Sequence, residues 1–166
     1  MKKILHLDLA KKIIKIVKQN KSLNNSIHEP YFDKYEKKLL IKCIESSYVS
    51  TVGAFIKKFE NSVKKFTGAK YVVATVNGIS ALHISMIVSN ISKNDEVLIP
   101  SLNYVASSNA AFYCGAIPHF VDSQANSFEI DVKKLRHYLL KICKIYKNKC
   151  INKKTNRVIK AIVPTH

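Results

Sequence analysis

From Tyr71 onward the apolar residues alternate between two periods, and that alternation restricts the chain to a layered α/β fold. Tyr71 to Val76 is a β-branched run that reads as a buried strand. Asn77-Gly78 breaks it, and Ile79 to Ser89 continues with helical spacing. Glu96 to Pro100 reads as a second strand leading to a helix over roughly 105–114. Ile117 to Val121 is a third, passing through Asp122 to a helix over 131–147, and Val158 to Val163 is a fourth. Strands alternating with helices imply a mostly parallel sheet flanked by helices.

Upstream the pattern is helical throughout. Residues 2–20 form an amphipathic helix with a basic face, read as packing on the surface rather than anchoring in a membrane. Residues 21–30 have loop chemistry, and 33–46 read as a helix. Ser50 to Gly53 is a turn. Ala54 to Thr67 is a helix with Phe55, Phe59, Val63 and Phe66 on one face, stopped by Gly68.

Composition narrows the function. The 166 residues are 47% hydrophobic, enough for one domain with a real core. No apolar run reaches the roughly 18 residues needed to span a bilayer, and Asp8 interrupts any signal-like start, so a cytoplasmic chain is expected. The net charge of +17 suggests a polyanion partner, but Arg136 and Arg157 are the only arginines and the lysines are scattered. A lysine-rich composition without a nucleic-acid surface is therefore expected. Cys43, Cys114, Cys143 and Cys150 show no C-x-x-C spacing, so no metal site is expected; Cys43 and Cys114 read as buried free thiols.

The strand–turn–helix at Asn77-Gly78 leaves backbone N–H groups free at a helix start, where they and the helix dipole suit a phosphate. An ordinary turn that binds nothing is the alternative for this motif alone. Tyr104 lies just past the end of the second strand, on the side where ligands of open α/β sheets bind, and could stack on a flat cofactor. Packing under a loop is the competing reading. His83 and His119 read as structural, and His166 sits at a strand end.

These stretches resemble the DegT/DnrJ/EryC1/StrS family of pyridoxal-phosphate (PLP)-dependent sugar aminotransferases. Within it they are most similar to the branch that aminates 4-keto-6-deoxy nucleotide sugars for legionaminic-acid-type surface glycans. The likeness is carried by His28-Glu-Pro30, Ser50-Thr-Val-Gly53, Phe59-Glu60, Thr67-Gly-Ala-Lys-Tyr71, Ala74-Thr-Val-Asn-Gly78 and Ala81-Leu-His83. It continues through Asp95-Glu-Val97, Val105-Ala106, Asn109-Ala110, Tyr113-Cys-Gly-Ala116 and Phe120-Val-Asp122.

The resemblance implies a partial fold-type I aminotransferase large domain with its C-terminal part absent. Residues 1–26 would form an N-terminal helix and loop, and 27–166 the N-terminal part of the PLP-binding domain. It implies a homodimer, a nucleotide-sugar substrate, and an amino donor, usually glutamate. It puts the cofactor phosphate on Gly78, Ile79 and Ser80 and the pyridine ring against Tyr104. Ile79 and Asn103 stand where the family usually has hydroxyl residues. The family's Schiff-base lysine has no match among these residues, so no catalytic residue is assigned and the chain alone is expected to be inactive. Marginal stability and aggregation through an exposed sheet edge are expected too. The competing functions are a non-catalytic dimerisation or sugar-nucleotide-binding remnant, and a nucleic-acid binder, disfavoured by the scarce arginines. A dehydrogenase is disfavoured because no G-x-G-x-x-G is present.

Overall fold

The computed structural model describes residues 2–19 and 30–165, so residues 21–29 of the loop expected over 21–30, His28 of the first matching segment and His166 lie outside the described residues. The chain separates into two compact units, Met1–Ser62 and Val63–His166.

The first unit contains α1 (Lys2–Gln19), α2 (Lys34–Glu45) and the start of α3 (Ala54–Thr67). α2 begins with a capping box. The Asp33 carboxylate accepts from Tyr35 N at 2.5 Å, and Glu36 accepts from Asp33 N at 2.8 Å. Hydrogen bonding with Glu36, then with Tyr35 N–H, holds the Asp33 carboxyl below its usual range. Beyond α3, Gly68 adopts φ +72° and its N–H returns to Lys64 O at 2.9 Å, the left-handed stop expected of a C-terminal glycine.

The second unit is built on a parallel sheet of order β2-β1-β5, with β1 Glu96–Pro100, β2 Ile117–Val121 and β5 Ile159–Ile162. α4 (Gly78–Val88) and α5 (Ala106–Tyr113) lie on one face and α6 (Val132–Ile142) on the other. β1 is the central strand, and all five of its residues are buried. Val97 and Ile99 pack with Met86, Ile91, Ala110 and Ala111 on the α4–α5 side. Leu98 packs with Val121, Ile130, Leu135 and Leu139 on the α6 side. A strand covered on both faces must be apolar at successive positions, which is why Val97-Leu-Ile99 shows no polar alternation.

Three expectations are corrected. Tyr71–Val76 forms no strand of either sheet, and it is not buried: Tyr71, Val73 and Val76 are 78%, 80% and 87% exposed. β-branched residues supply a preference for extended backbone, but a strand requires a continuous ladder of pairs with a neighbouring strand, which local preference does not supply. The helix expected over 131–147 ends at Ile142. The chain then forms an antiparallel hairpin of β3 (Cys143–Tyr146) and β4 (Lys149–Asn152). Lys147 and Asn148 both take positive φ, 47° and 57°, which is the two-residue hairpin turn matching strand twist. Cys43 and Cys114 are half-buried rather than buried.

Candidate functional site

The first turn of α4 is shaped by Asn77. Its backbone is extended, and its side-chain Oδ1 accepts from Ser80 N at 2.8 Å as an N-cap. Asn77 O accepts from Ala81 N at 3.1 Å. The N–H groups of Gly78 and Ile79 have no partner within the helix, since the first turn of any helix lacks preceding carbonyls. Two aligned donors at the positive end of a helix dipole therefore face outward at this turn. A Cβ placed on Gly78 would meet nothing within 4 Å, so packing within the described residues does not demand glycine there. Close approach of a ligand to the backbone would. These residues fit an anionic group such as the phosphate of PLP.

Tyr104 lies in the loop from β1 to α5 and is 74% exposed, leaving its ring available to a planar partner. The loop is braced below the ring: Asn103 Nδ2 donates to the buried Ser107 Oγ at 3.1 Å. Asn103 thus fastens the loop to the first turn of α5.

The packing of α4 on α5 relates the two features. His83 and Tyr113 meet edge to face at 5.6 Å, and Asn94 N donates to Gly115 O at 3.0 Å. α5 carries the chain from the end of β1 back to the start of its parallel neighbour β2, and α4 leads into the start of β1, so both helices run against the strands with their C-terminal ends toward the strand starts. Gly78 is five residues before His83, about 8 Å along the axis, and Ala106 is seven before Tyr113, about 10 Å. Both N-termini lie at the other end of the pair, where Pro100 delivers the chain from the sheet. Gly78, Ile79, Ser80 and Tyr104 thus share one end of the helix layer.

That arrangement and the sequence both have counterparts. A model of the DegT/DnrJ/EryC1/StrS aminotransferase family matches residues 30–166. The chain belongs to this family. It is 38% identical over 110 residues to the GDP-perosamine synthase of Caulobacter vibrioides, covering 66% of this chain and 30% of that enzyme. With the GDP-perosamine synthase of Vibrio cholerae it shares 35% identity over 133 residues, covering 80% and 33%. A Streptococcus pneumoniae protein described as a sugar aminotransferase, solved in its PLP form, superposes with a TM-score of 0.58 at 28% identity. That match covers 65% of this chain and 27% of the other. The chain thus spans about a third of the length of the curated relatives it matches. The family is one of PLP-dependent sugar aminotransferases, and the aminotransferase fold of the second unit is partial, as expected. Among the described residues no helix is long and apolar enough to cross a membrane.

A polar cluster at the opposite end of the sheet escaped the sequence reading. Glu96, the first residue of β1, is 2% exposed. Its carboxylate accepts from Thr155 Oγ1 at 2.5 Å and Asn152 Nδ2 at 3.0 Å, and lies 2.7 Å from His119 Nδ1. His119 Nε2 is 2.9 Å from the Tyr138 hydroxyl. Burial pushes the Glu96 carboxyl up, but the hydrogen bonds from Thr155, Asn152 and His119 outweigh it and hold it below its usual range. The cluster ties β1, β2, α6 and the segment after β4 together, so His119 is structural. Nothing in sequence spacing brings residues 96, 119, 152 and 155 together; only strand register does.

Proposed function

We propose that the first turn of α4 and Tyr104 form the phosphate and ring subsites for PLP. In this reading Gly78 and Ile79 donate backbone N–H groups, the Ser80 hydroxyl adds a third donor, and Tyr104 stacks on the pyridine ring. When bound, PLP supplies the electron sink for amino transfer; these residues bind and orient it. The observation that carries the reading is the shared end of α4 and α5, which puts the unpaired N–H groups and the exposed ring on one side.

We further infer that the enzyme this chain contributes to moves an amino group, from glutamate or a similar donor, onto a 4-keto-6-deoxy nucleotide sugar for surface glycan synthesis. The GDP-perosamine synthases among its relatives support a nucleotide-sugar substrate. Residues 27–166 would then be the N-terminal part of the cofactor domain, preceded by 1–26, in a homodimer. No lysine here matches the family's catalytic one, so these 166 residues alone should produce no 2-oxoglutarate from glutamate and a ketosugar.

The test is a binding titration of the chain with PLP and with pyridoxal, which lacks the phosphate, followed by borohydride trapping. The reading expects PLP to bind at least about tenfold tighter, a difference of roughly 1.4 kcal/mol. Tyr104→Ala should weaken both ligands, and trapped lysines should be scattered. Equal binding of the two would remove the phosphate subsite. Trapping at one lysine with turnover would show that this chain carries its own catalytic lysine.

A further inference from the structure

The match to the family model begins at residue 30, so the aminotransferase reading gives α1 (Lys2–Gln19) no task. Sequence spacing alone favours packing on the protein surface for this helix, yet every side chain described on it, Asp8 and residues 10–19, is exposed. The apolar ones are included: Ile13, Ile14 and Ile16 are 52%, 53% and 59% exposed, and Val17 is 43% exposed. Water is a poor neighbour for four branched aliphatic side chains on one helix, so a partner that covers them is stabilised by their burial.

The described side chains separate cleanly around the helix axis. At about 100° per residue, Ala10, Ile13, Ile14, Ile16 and Val17 fall within an arc of roughly 160°. Asp8, Lys11, Lys12, Lys15, Lys18 and Gln19 fall within the opposite arc of roughly 120°. Lys12 and Lys18 stand at its two margins, next to Ile16 and Ile14 respectively. There a lysine stem can lie along an apolar surface while its ammonium reaches an anion. Asp8, the one acid in the helix, lies near the middle of the polar arc, turned away from the apolar face.

Charge selects the partner. A second copy would bring lysine margins against lysine margins, and the apolar arc is wider than the seam of paired helices. A nucleic acid would engage the lysines and leave the isoleucines in water. A bilayer surface with anionic headgroups matches both faces at once: the apolar arc enters the headgroup–acyl boundary and the marginal lysines meet phosphates. The helix would lie on such a membrane rather than cross it, in keeping with the lack of a membrane-spanning helix among the described residues.

We propose that α1 is a docking helix for an anionic phospholipid surface, with Ile13, Ile14, Ile16 and Val17 inserted and Lys12 and Lys18 paired with headgroup phosphates. Docking is independent of the cofactor reading.

The test is sedimentation of the 166-residue chain with phosphatidylcholine vesicles and with mixed phosphatidylcholine–phosphatidylglycerol vesicles. Partition into the mixed vesicles should be at least about tenfold stronger. Replacing both Lys12 and Lys18 with Gln removes two headgroup contacts and should weaken it by about thirtyfold. Ile13→Asn combined with Ile16→Asn keeps every charge and should abolish it; both positions are exposed, so the rest of the fold is unaffected. If that double variant binds like the parent, the overall charge of +17 does the binding and the docking helix is refuted. Equal partition into both vesicles, or none, refutes it too. So does a parent chain that is a dimer in sizing chromatography and becomes a monomer in the double variant, since the face is then a contact between copies.

Discussion

Replacing Glu96 with alanine should be among the most damaging single changes in the sheet. The carboxylate is 2% exposed and is shared by Thr155, Asn152 and His119. Truncation strands the donors it serves. Asn152 is itself 5% exposed, so its Nδ2 cannot turn to water, and a buried unsatisfied donor costs about 1–3 kcal/mol. His119 adds a similar loss, while exposed Thr155 recovers a water partner. Together with the cavity, the total is about 3–5 kcal/mol, the range for breaking a buried hydrogen-bonded ion pair from one side. Urea unfolding followed by far-ultraviolet circular dichroism would show this as a midpoint lower by about 2 M, taking a slope of about 2 kcal/mol/M. Glu96→Gln keeps one acceptor oxygen and should lose about half as much. If Glu96→Ala moves the midpoint by less than about 0.5 M, comparable to an exposed substitution, the cluster is not what ties these elements together. The pH dependence has a fixed sign. The folded carboxyl is held below its ordinary value near 4.5, so its stabilisation is complete above that pH and is lost as pH falls through the lower folded value.

Gly68→Ala should cost about 1 kcal/mol in the same unfolding assay. No neighbour lies within 4 Å, so the cost is the φ of +72° alone. Asn77→Ala removes the N-cap of α4 and should lower stability by about 0.5–2 kcal/mol. It also frees the Ser80 N–H, so PLP affinity should hold or rise in the titration against pyridoxal; a fall would mean the Asn77 side chain itself holds the ligand. Replacing Lys147-Asn148 with Asn-Gly should stabilise the hairpin by up to about 1 kcal/mol, because both positions have positive φ. A lower unfolding midpoint would count against that turn.

Much of this protein was legible in its residues because the signals are local. The capped or glycine-stopped helices at 34–45, 54–67 and 78–88 follow from apolar spacing and terminal residues, which act within a turn or two of chain. The strands at 96–100, 117–121 and 159–162 follow from short apolar runs between turns, and the family from many matched segments in order. Pairing and register are different, because they join residues far apart in sequence. Tyr71–Val76 has every local mark of a strand, yet lies outside both sheets. Cys143–Tyr146 continues a helical pattern, yet a two-residue turn folds it back on β4. Glu96 carries no sign in the sequence of its burial; register sets His119 beside it, and Asn152 at the end of β4 and Thr155 just after it close over it. Local propensity decided where the chain is helical or extended. Only the tertiary structure decided which extended segments pair, and with that which polar groups are buried and what they must bond to.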